Sequence, residues 1–147
     1  MISKIKIPDV FEGLLEPHSI KAFYGGRGGG KSTSFALALL AIGMKEKKRI
    51  LCTREVQGSI RDSVHRLLST CVENYGLEKH YTIYRDSIRG KNGTEFIFHG
   101  LKHDPQQIKS LEGIDITWAE ECQTIPSISW RILTPTVLRK KNSELWL

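Results

Sequence analysis

Long apolar runs are missing from this chain. The longest, Phe35 to Ile42, falls far short of the about 20 residues a membrane-spanning helix needs, so no membrane association is expected. The opening stretch, MISKIKIPDVFEGLLEP, carries lysines but no continuous apolar core and no small-residue cleavage site. A signal peptide is therefore not expected, and a cytoplasmic location is. Cysteine is scarce. Cys52, Cys71 and Cys122 are an odd number without CxxC spacing, which argues against a disulfide framework and reads as small buried hydrophobes in a reducing compartment. Internal repeats, low-complexity tracts and long linkers are also absent. Acids are the minority charge, 16 against 22 lysines and arginines, for a net charge of +6. The basic residues are spread along the chain and not gathered in a tail, which reads as a solvated basic surface compatible with a polyanion.

The 147 residues suit one domain, long enough to bury about two-thirds of the unfolded surface. Apolar and polar segments alternate in type. Ile20 to Tyr24 reads as a short strand, and Ser32 to Lys45, apolar nearly all round, as a helix buried on most faces. RILCT, Arg49 to Thr53, is a compact strand. Gln57 to Tyr75 places Ile60, Val64, Leu67, Leu68, Cys71 and Tyr75 at helical spacing. YTIYRDSIRGKNGTEFIFHG alternates on both sides of Lys91-Asn92-Gly93 and predicts a hairpin. A short helix from Asp104 to Leu111, a strand in GIDITWAEE, a helix from Pro126 to Leu138 and a last strand in SELWL complete the pattern. Such alternation predicts an α/β fold, with a parallel sheet covered by helices on both faces.

Between the first strand and the first helix lies FYGGRGGGKSTSF. Gly25, Gly26, Arg27, Gly28, Gly29, Gly30, Lys31 and Ser32 match G-x-x-x-x-G-K-[ST] at every fixed position. A loop wrapped around a triphosphate turns several backbone N–H groups inward, through φ angles that only glycine adopts cheaply. The following helix presents its N-terminus, with free N–H groups and partial positive charge, to the same phosphates. Lys31 is placed for the β- and γ-phosphates and Ser32 for Mg²⁺. A flexible linker that happens to contain Lys-Ser would not sit between an apolar strand and a buried helix.

A bound metal and an attacking water both call for carboxylates, and IDITWAEECQ offers Asp115, Glu120 and Glu121. Ligands of open α/β sheets lie beyond the carboxyl ends of the strands. Asp115 starts its strand, roughly 16 Å from that end at ~3.3 Å per residue, and is at the wrong end. Glu120 and Glu121 close the strand; Glu120 takes the metal side and Glu121 the water-activating role. Arg27 either reaches back to the γ-phosphate, as an arginine finger does, or anchors the loop to a nearby acid. Arg54 also faces the nucleotide side, where pairing with Glu55 or another neighbour is an equal alternative. His99 and His103 lie four apart, ligand spacing only on a helix; their segment reads as a strand entering a turn, so no metal site is expected there.

Taken together, GGRGGGKS, RILCTREVQGSIRDSVHRLL, IKSLEGIDITWAEE and SWRILTPTVLRKKNSELWL resemble the N-terminal ATPase of the large terminase subunit of tailed bacteriophages, over about Glu16 to Leu147. The resemblance implies a three-layer P-loop NTPase of the ASCE, RecA-like type, with a mostly parallel sheet and a strand between the phosphate-loop strand and the acid strand. It implies an ATPase using ATP and Mg²⁺ that drives double-stranded viral DNA into a preformed capsid, in the cytoplasm of an infected or lysogenic bacterium. The implied partners are a portal protein, a small terminase subunit and further copies of the chain in a ring. By position, Gly25 to Ser32 and Thr33 match the nucleotide-binding residues. Ser32 and Glu120 match the metal ligands, Arg27 the in-loop arginine and Glu121 the catalytic glutamate. The family's C-terminal nuclease domain has no counterpart in residues 1–147, and its coupling turn belongs just beyond SELWL. The expectation is an incomplete ATPase domain that binds ATP far better than it hydrolyses it. Two other readings remain: a nucleotide-binding fragment without turnover, acting as an assembly or interference module, and a generic DNA-repair or helicase-like ATPase.

Overall fold

The computed structural model describes residues 5–25, 30–102 and 106–147. Seven strands form one sheet: β1 (Ile20–Lys21), β2 (Arg49–Arg54), β3 (Tyr81–Ile83), β4 (Ser87–Gly90), β5 (Glu95–Gly100), β6 (Ile116–Ala119) and β7 (Glu144–Trp146). Their order is β1-β7-β6-β2-β5-β4-β3. The run from β1 to β5 is parallel, and β4 and β3 add antiparallel pairs at one edge. As the resemblance implies, one strand, β7, lies between the phosphate-loop strand β1 and the acid strand β6.

The sheet divides its side chains by the period-2 rule of extended chain. Ile50 and Cys52 of β2, Ile116 and Trp118 of β6 and Trp146 of β7 join one core; Leu51, Ala119 and Leu145 join the other. The first core is covered by α1 (Lys31–Lys45), by α2 (Gln57–Ile60) and α3 (Arg66–Asn74), and by a 3-10 helix, Asp9–Leu15, that contributes Phe11 and Leu14. The second is covered by α4 (Gln106–Lys109) and α5 (Ser127–Val137), through Ile108, Leu133 and Val137. Helices on both faces explain why β2 buries four consecutive residues. No helix among the described residues is long and apolar enough to cross a membrane.

Several boundaries differ from the sequence expectation. The first strand spans two residues, not Ile20 to Tyr24, although Phe23 N still donates to Leu147 O at 2.9 Å. The expected helix from Gln57 to Tyr75 contains a π-helical turn, Arg61–His65, between α2 and α3. The expected hairpin is three strands, because the chain turns at residues 84–86 as well as at Lys91-Asn92-Gly93. Cys52 and Cys71 are buried as expected, but Cys122 is only half-buried. The expected start of the fourth helix, Asp104, lies outside the described residues, as does His103.

The second turn of the hairpin caps α1. Thr94 Oγ1 and Asn92 Nδ2 donate to Gly43 O at 2.7 and 2.8 Å, and Tyr81 Oη donates to Leu40 O at 2.6 Å. The bonds to Gly43 O satisfy a carbonyl that the last turn of a helix leaves without an intrahelical partner, and the Tyr81 bond adds a donor to a carbonyl one turn earlier. They also bring the hairpin so close that a Cβ on Gly43 would lie 2.6 Å from Tyr81 Oη and 2.8 Å from Thr94 Cγ2. Both neighbours are held by their own hydrogen bonds and have little freedom to retreat. Overpacking costs about 1–3 kcal/mol, while alanine regains about 1 kcal/mol of helix propensity. Gly43→Ala is therefore expected to lower stability by up to about 2 kcal/mol, read as a reduced urea midpoint at unchanged slope; a higher midpoint would contradict the close approach of the hairpin.

Candidate functional site

The carboxyl ends of β1, β2, β6 and β7 point the same way, and those of β1, β6 and β7 open onto one cleft of about 900 Å³. Gly25, Gly30, Lys31, Ser32 and Thr33 line one wall, and Glu120, Glu121, Cys122 and Gln123 line another. Phe23, Phe35 and Trp118 form an apolar floor, with ring centroids 5.7 Å apart at each step from Phe23 to Phe35 to Trp118.

The glycine loop delivers its end to the start of α1. Gly30 caps the helix at φ 74°, a left-handed conformation that favours glycine, and Ser34 N donates to its carbonyl at 2.9 Å. Lys31 folds back along the loop, its Nζ donating to Gly25 O at 2.5 Å. The first residues of α1 line the cleft, so the partial positive charge of the helix N-terminus lies at its wall. Gly26, Arg27, Gly28 and Gly29 lie outside the described residues.

Ser32 and Glu120, 88 residues apart in sequence, meet across the cleft: Ser32 Oγ donates to Glu120 Oε1 at 3.4 Å. Glu120 leaves β6 while still tied to the sheet, its N donating to Thr53 O at 3.0 Å. Glu121 then turns out of the strand direction at φ 50°, a left-handed conformation unusual for glutamate. The turn sends the two carboxylates to different depths, with 15% of the Glu120 side chain exposed against 45% for Glu121.

Arg54, at the end of β2, holds both acids. Its Nε lies 2.7 Å from Glu120 Oε2, its Nη2 pairs with Glu121 Oε2, and its Nη1 donates to Ser63 Oγ at 3.0 Å in the π-helical turn. The Nε contact compensates charge, but it is not directed as a hydrogen bond, and the buried Glu120 Oε2 has no well-aligned donor. Burial, the largest influence, raises the Glu120 carboxyl above the ordinary glutamate range; Arg54 opposes it, Glu121 reinforces it and the Ser32 hydroxyl opposes it. A half-buried carboxylate with an oxygen short of donors, beside a serine hydroxyl, fits a hard cation that takes few protein ligands. Mg²⁺ has that habit, with phosphates and water completing its shell. Among the described residues, no group of three His, Cys, Asp or Glu side chains gathers into a site of its own for a metal.

Asp115 lies away from the cleft, as its place at the start of the strand predicts. Asp115 sits at the amino end of the sheet, accepting from Arg49 N at 2.8 Å and Lys140 Nζ at 2.6 Å. The residue whose part the sequence leaves open is Arg54, whose neighbours are Glu120 and Glu121. Its position at the carboxyl end of an apolar strand is the available signal; the identity of its partners depends on β2 lying beside β6. A smaller cavity, about 410 Å³ and lined by Arg61, His65, Arg85 and Phe98, has neither the glycine loop nor the acid pair.

Residues 17–147 match the family described as phage terminase large subunit. The PBSX phage terminase large subunit of Bacillus subtilis (strain 168) is 34% identical over 103 residues, covering 69% of this chain and 24% of that protein. This chain thus spans about a quarter of the length of that relative. Among solved structures, the large terminase of a thermophilic bacteriophage in complex with ADP matches with a TM-score of 0.67 at 15% identity, over 91% of this chain and 34% of that one. The Thermus phage P74-26 large terminase ATPase domain matches with a TM-score of 0.64 at 15% identity, over 97% of this chain and 70% of that one. At such identities the two structures establish a shared fold, the RecA-like P-loop architecture. With a family match over most of its length, a curated relative at 34% identity and this fold, the chain belongs to the phage terminase large subunit family.

Proposed function

We propose that this chain is the ATP-hydrolysing motor portion of a phage terminase large subunit, driving double-stranded viral DNA into a procapsid. The observation that carries the reading is the meeting of Ser32 with Glu120 across a cleft that Lys31 and Glu121 also line. The ADP in complex with the thermophilic bacteriophage's terminase supports a nucleotide in the corresponding place.

In this reading the N–H groups from Gly25 to Thr33 cradle the phosphates against the α1 N-terminus. Lys31 exchanges Gly25 O for the β- and γ-phosphates, and Arg27 reaches the γ-phosphate from the same loop. Ser32 and Glu120 hold Mg²⁺, which when bound neutralises phosphate charge. Glu121, shallower and turned outward, orients the attacking water and accepts its proton. Arg54 keeps the two carboxylates apart and compensated until the nucleotide arrives. The floor of Phe23, Phe35 and Trp118 excludes water below the phosphates. The motor would work as a ring of copies on a portal protein, with a small terminase subunit, in the cytoplasm of a bacterial host.

Titration calorimetry with ATPγS tests the metal assignment. Glu120→Gln should weaken binding about tenfold or more when Mg²⁺ is present, and change it little in EDTA. Equal Mg²⁺-dependent affinity for the variant and the parent would remove Glu120 from the site.

A further inference from the structure

At the other end of the sheet, the fold assembles what the sequence scatters. Two basic runs, Lys45-Glu46-Lys47-Lys48-Arg49 and Arg139-Lys140-Lys141, lie about ninety residues apart in sequence. They enter β2 and β7, the strands on either side of β6. Asp115, at the entry of β6, ties them together: its carboxylate accepts from Arg49 N and Lys140 Nζ, its N donates to Arg49 O, and Glu144 N donates to its carbonyl. On the far side of β2, Glu95 N donates to Lys48 O, and the Lys47 side chain lies over Gly93, in the turn that also carries Lys91. Three loops therefore form a row across β5, β2, β6 and β7. At ~4.8 Å per strand the row is roughly 15 Å long, and the six residues of β2 separate it from the nucleotide cleft by roughly 20 Å.

Lys48, Arg49 and Lys140 have acidic partners, in Glu46, Glu95 and Asp115. Among the described residues, Lys45, Lys47, Lys91, Arg139 and Lys141 are exposed and form no ion pair. The row is anchored rather than trailing: Ser143 N and Oγ both bond to Lys140 O, which fixes the turn that carries Lys141.

The chemistry of the row selects its partner. Protein interfaces are built on apolar and aromatic side chains and are poor in lysine. None of the exposed large apolar side chains of the described residues lies in these loops. Single-stranded nucleic acid is held by aromatic platforms, and these loops hold none. A line of cations without apolar anchors matches the phosphates of a duplex, contacted without reading its sequence. We propose that this amino-end row is a docking surface for the backbone of double-stranded DNA, separate from the nucleotide cleft. For its occupant the proposal rests on the DNA-handling function argued above.

The test is fluorescence anisotropy of the chain with a labelled 30-base-pair duplex across a salt series, in competition with unlabelled single strand and with poly-glutamate. Lys47→Ala/Arg139→Ala/Lys141→Ala should weaken duplex binding on the order of tenfold or more and reduce the salt slope by about three. Arg61→Ala/Arg85→Ala, at the opposite end, should bind the duplex like the parent. All variants should keep parental affinity for Mg²⁺·ATPγS; a parent that binds the duplex but not the nucleotide sinks the ATPase reading and leaves this surface standing. Unchanged duplex affinity in the triple variant overturns the proposal, as does a loss confined to the Arg61/Arg85 variant. Competition by poly-glutamate as effective as that by duplex, charge for charge, would overturn it in favour of an acidic protein partner.

Discussion

Lys31→Ala is expected to reduce the affinity of the chain for Mg²⁺·ATP by about a hundredfold or more. Lys31 opens α1, at the point where the loop ends and the helix N–H groups converge. Its ammonium rests on Gly25 O, spanning the loop that would enclose the phosphates. A hydrogen bond to a charged group contributes about 1.5–3 kcal/mol, and a lysine shared by two phosphates makes two of them. The sum exceeds the roughly 2.8 kcal/mol that a hundredfold change requires. The loop keeps its backbone donors, so the variant should still fold, with circular dichroism like the parent's. Equal calorimetric affinity for the two proteins would sink the phosphate-loop reading.

Glu121→Gln should separate binding from turnover. An amide fills the same space beside Arg54 but accepts no proton, and loss of a positioned general base lowers rates by about 10²–10⁴-fold. ATP affinity should stay near parental, because the carboxylate that meets Ser32, and that we propose for the metal, is Glu120's. Phosphate release in single turnover, measured beside nucleotide binding, distinguishes the two acids. If Glu121→Gln loses Mg²⁺-dependent binding while Glu120→Gln binds and stalls, the two roles are exchanged.

The parts of this site readable in the sequence are those set by local chemistry. Glycine density, a lysine-serine pair and a buried helix define the phosphate loop without any tertiary knowledge, and Gly30 carries the positive φ the motif demands. Strand polarity alone locates Glu120 and Glu121, since a residue ending an apolar strand faces the ligand side of an open sheet. What stays hidden depends on strand order or on local departures from regular periodicity. Arg54 is 66 residues from Glu120, and only the β2–β6 pairing makes them neighbours. The turn at residues 84–86 contains no glycine or proline, so alternation runs through it unmarked. The π-helical turn at Arg61–His65 keeps an apolar residue, Val64, pointing inward and leaves no mark on the helical pattern. The basic row at the amino end reads in sequence as a solvated surface, because its two runs gather only once β6 lies between β2 and β7.

The same topology separates two tasks. Nucleotide chemistry would occupy the carboxyl ends of the strands, and polyanion contact the amino ends, with the rigid length of β2 and β6 between them. Arg54 is the contact through which the acid pair reaches beyond the cleft, since its third arm holds Ser63 in the π-helical turn.

Every role assigned to the cleft requires one Mg²⁺·nucleotide between the glycine loop and the acid pair. A crystal structure of the chain with Mg²⁺ and ATPγS would decide it. The γ-thiophosphate is expected against Lys31, with a metal about 2.1 Å from Ser32 Oγ, Glu120 in or beside the metal's shell, and Glu121 facing the terminal phosphate. A nucleotide seated in the Arg61–Phe98 cavity, or a metal bound at Asp115 in place of Ser32 and Glu120, would contradict that arrangement.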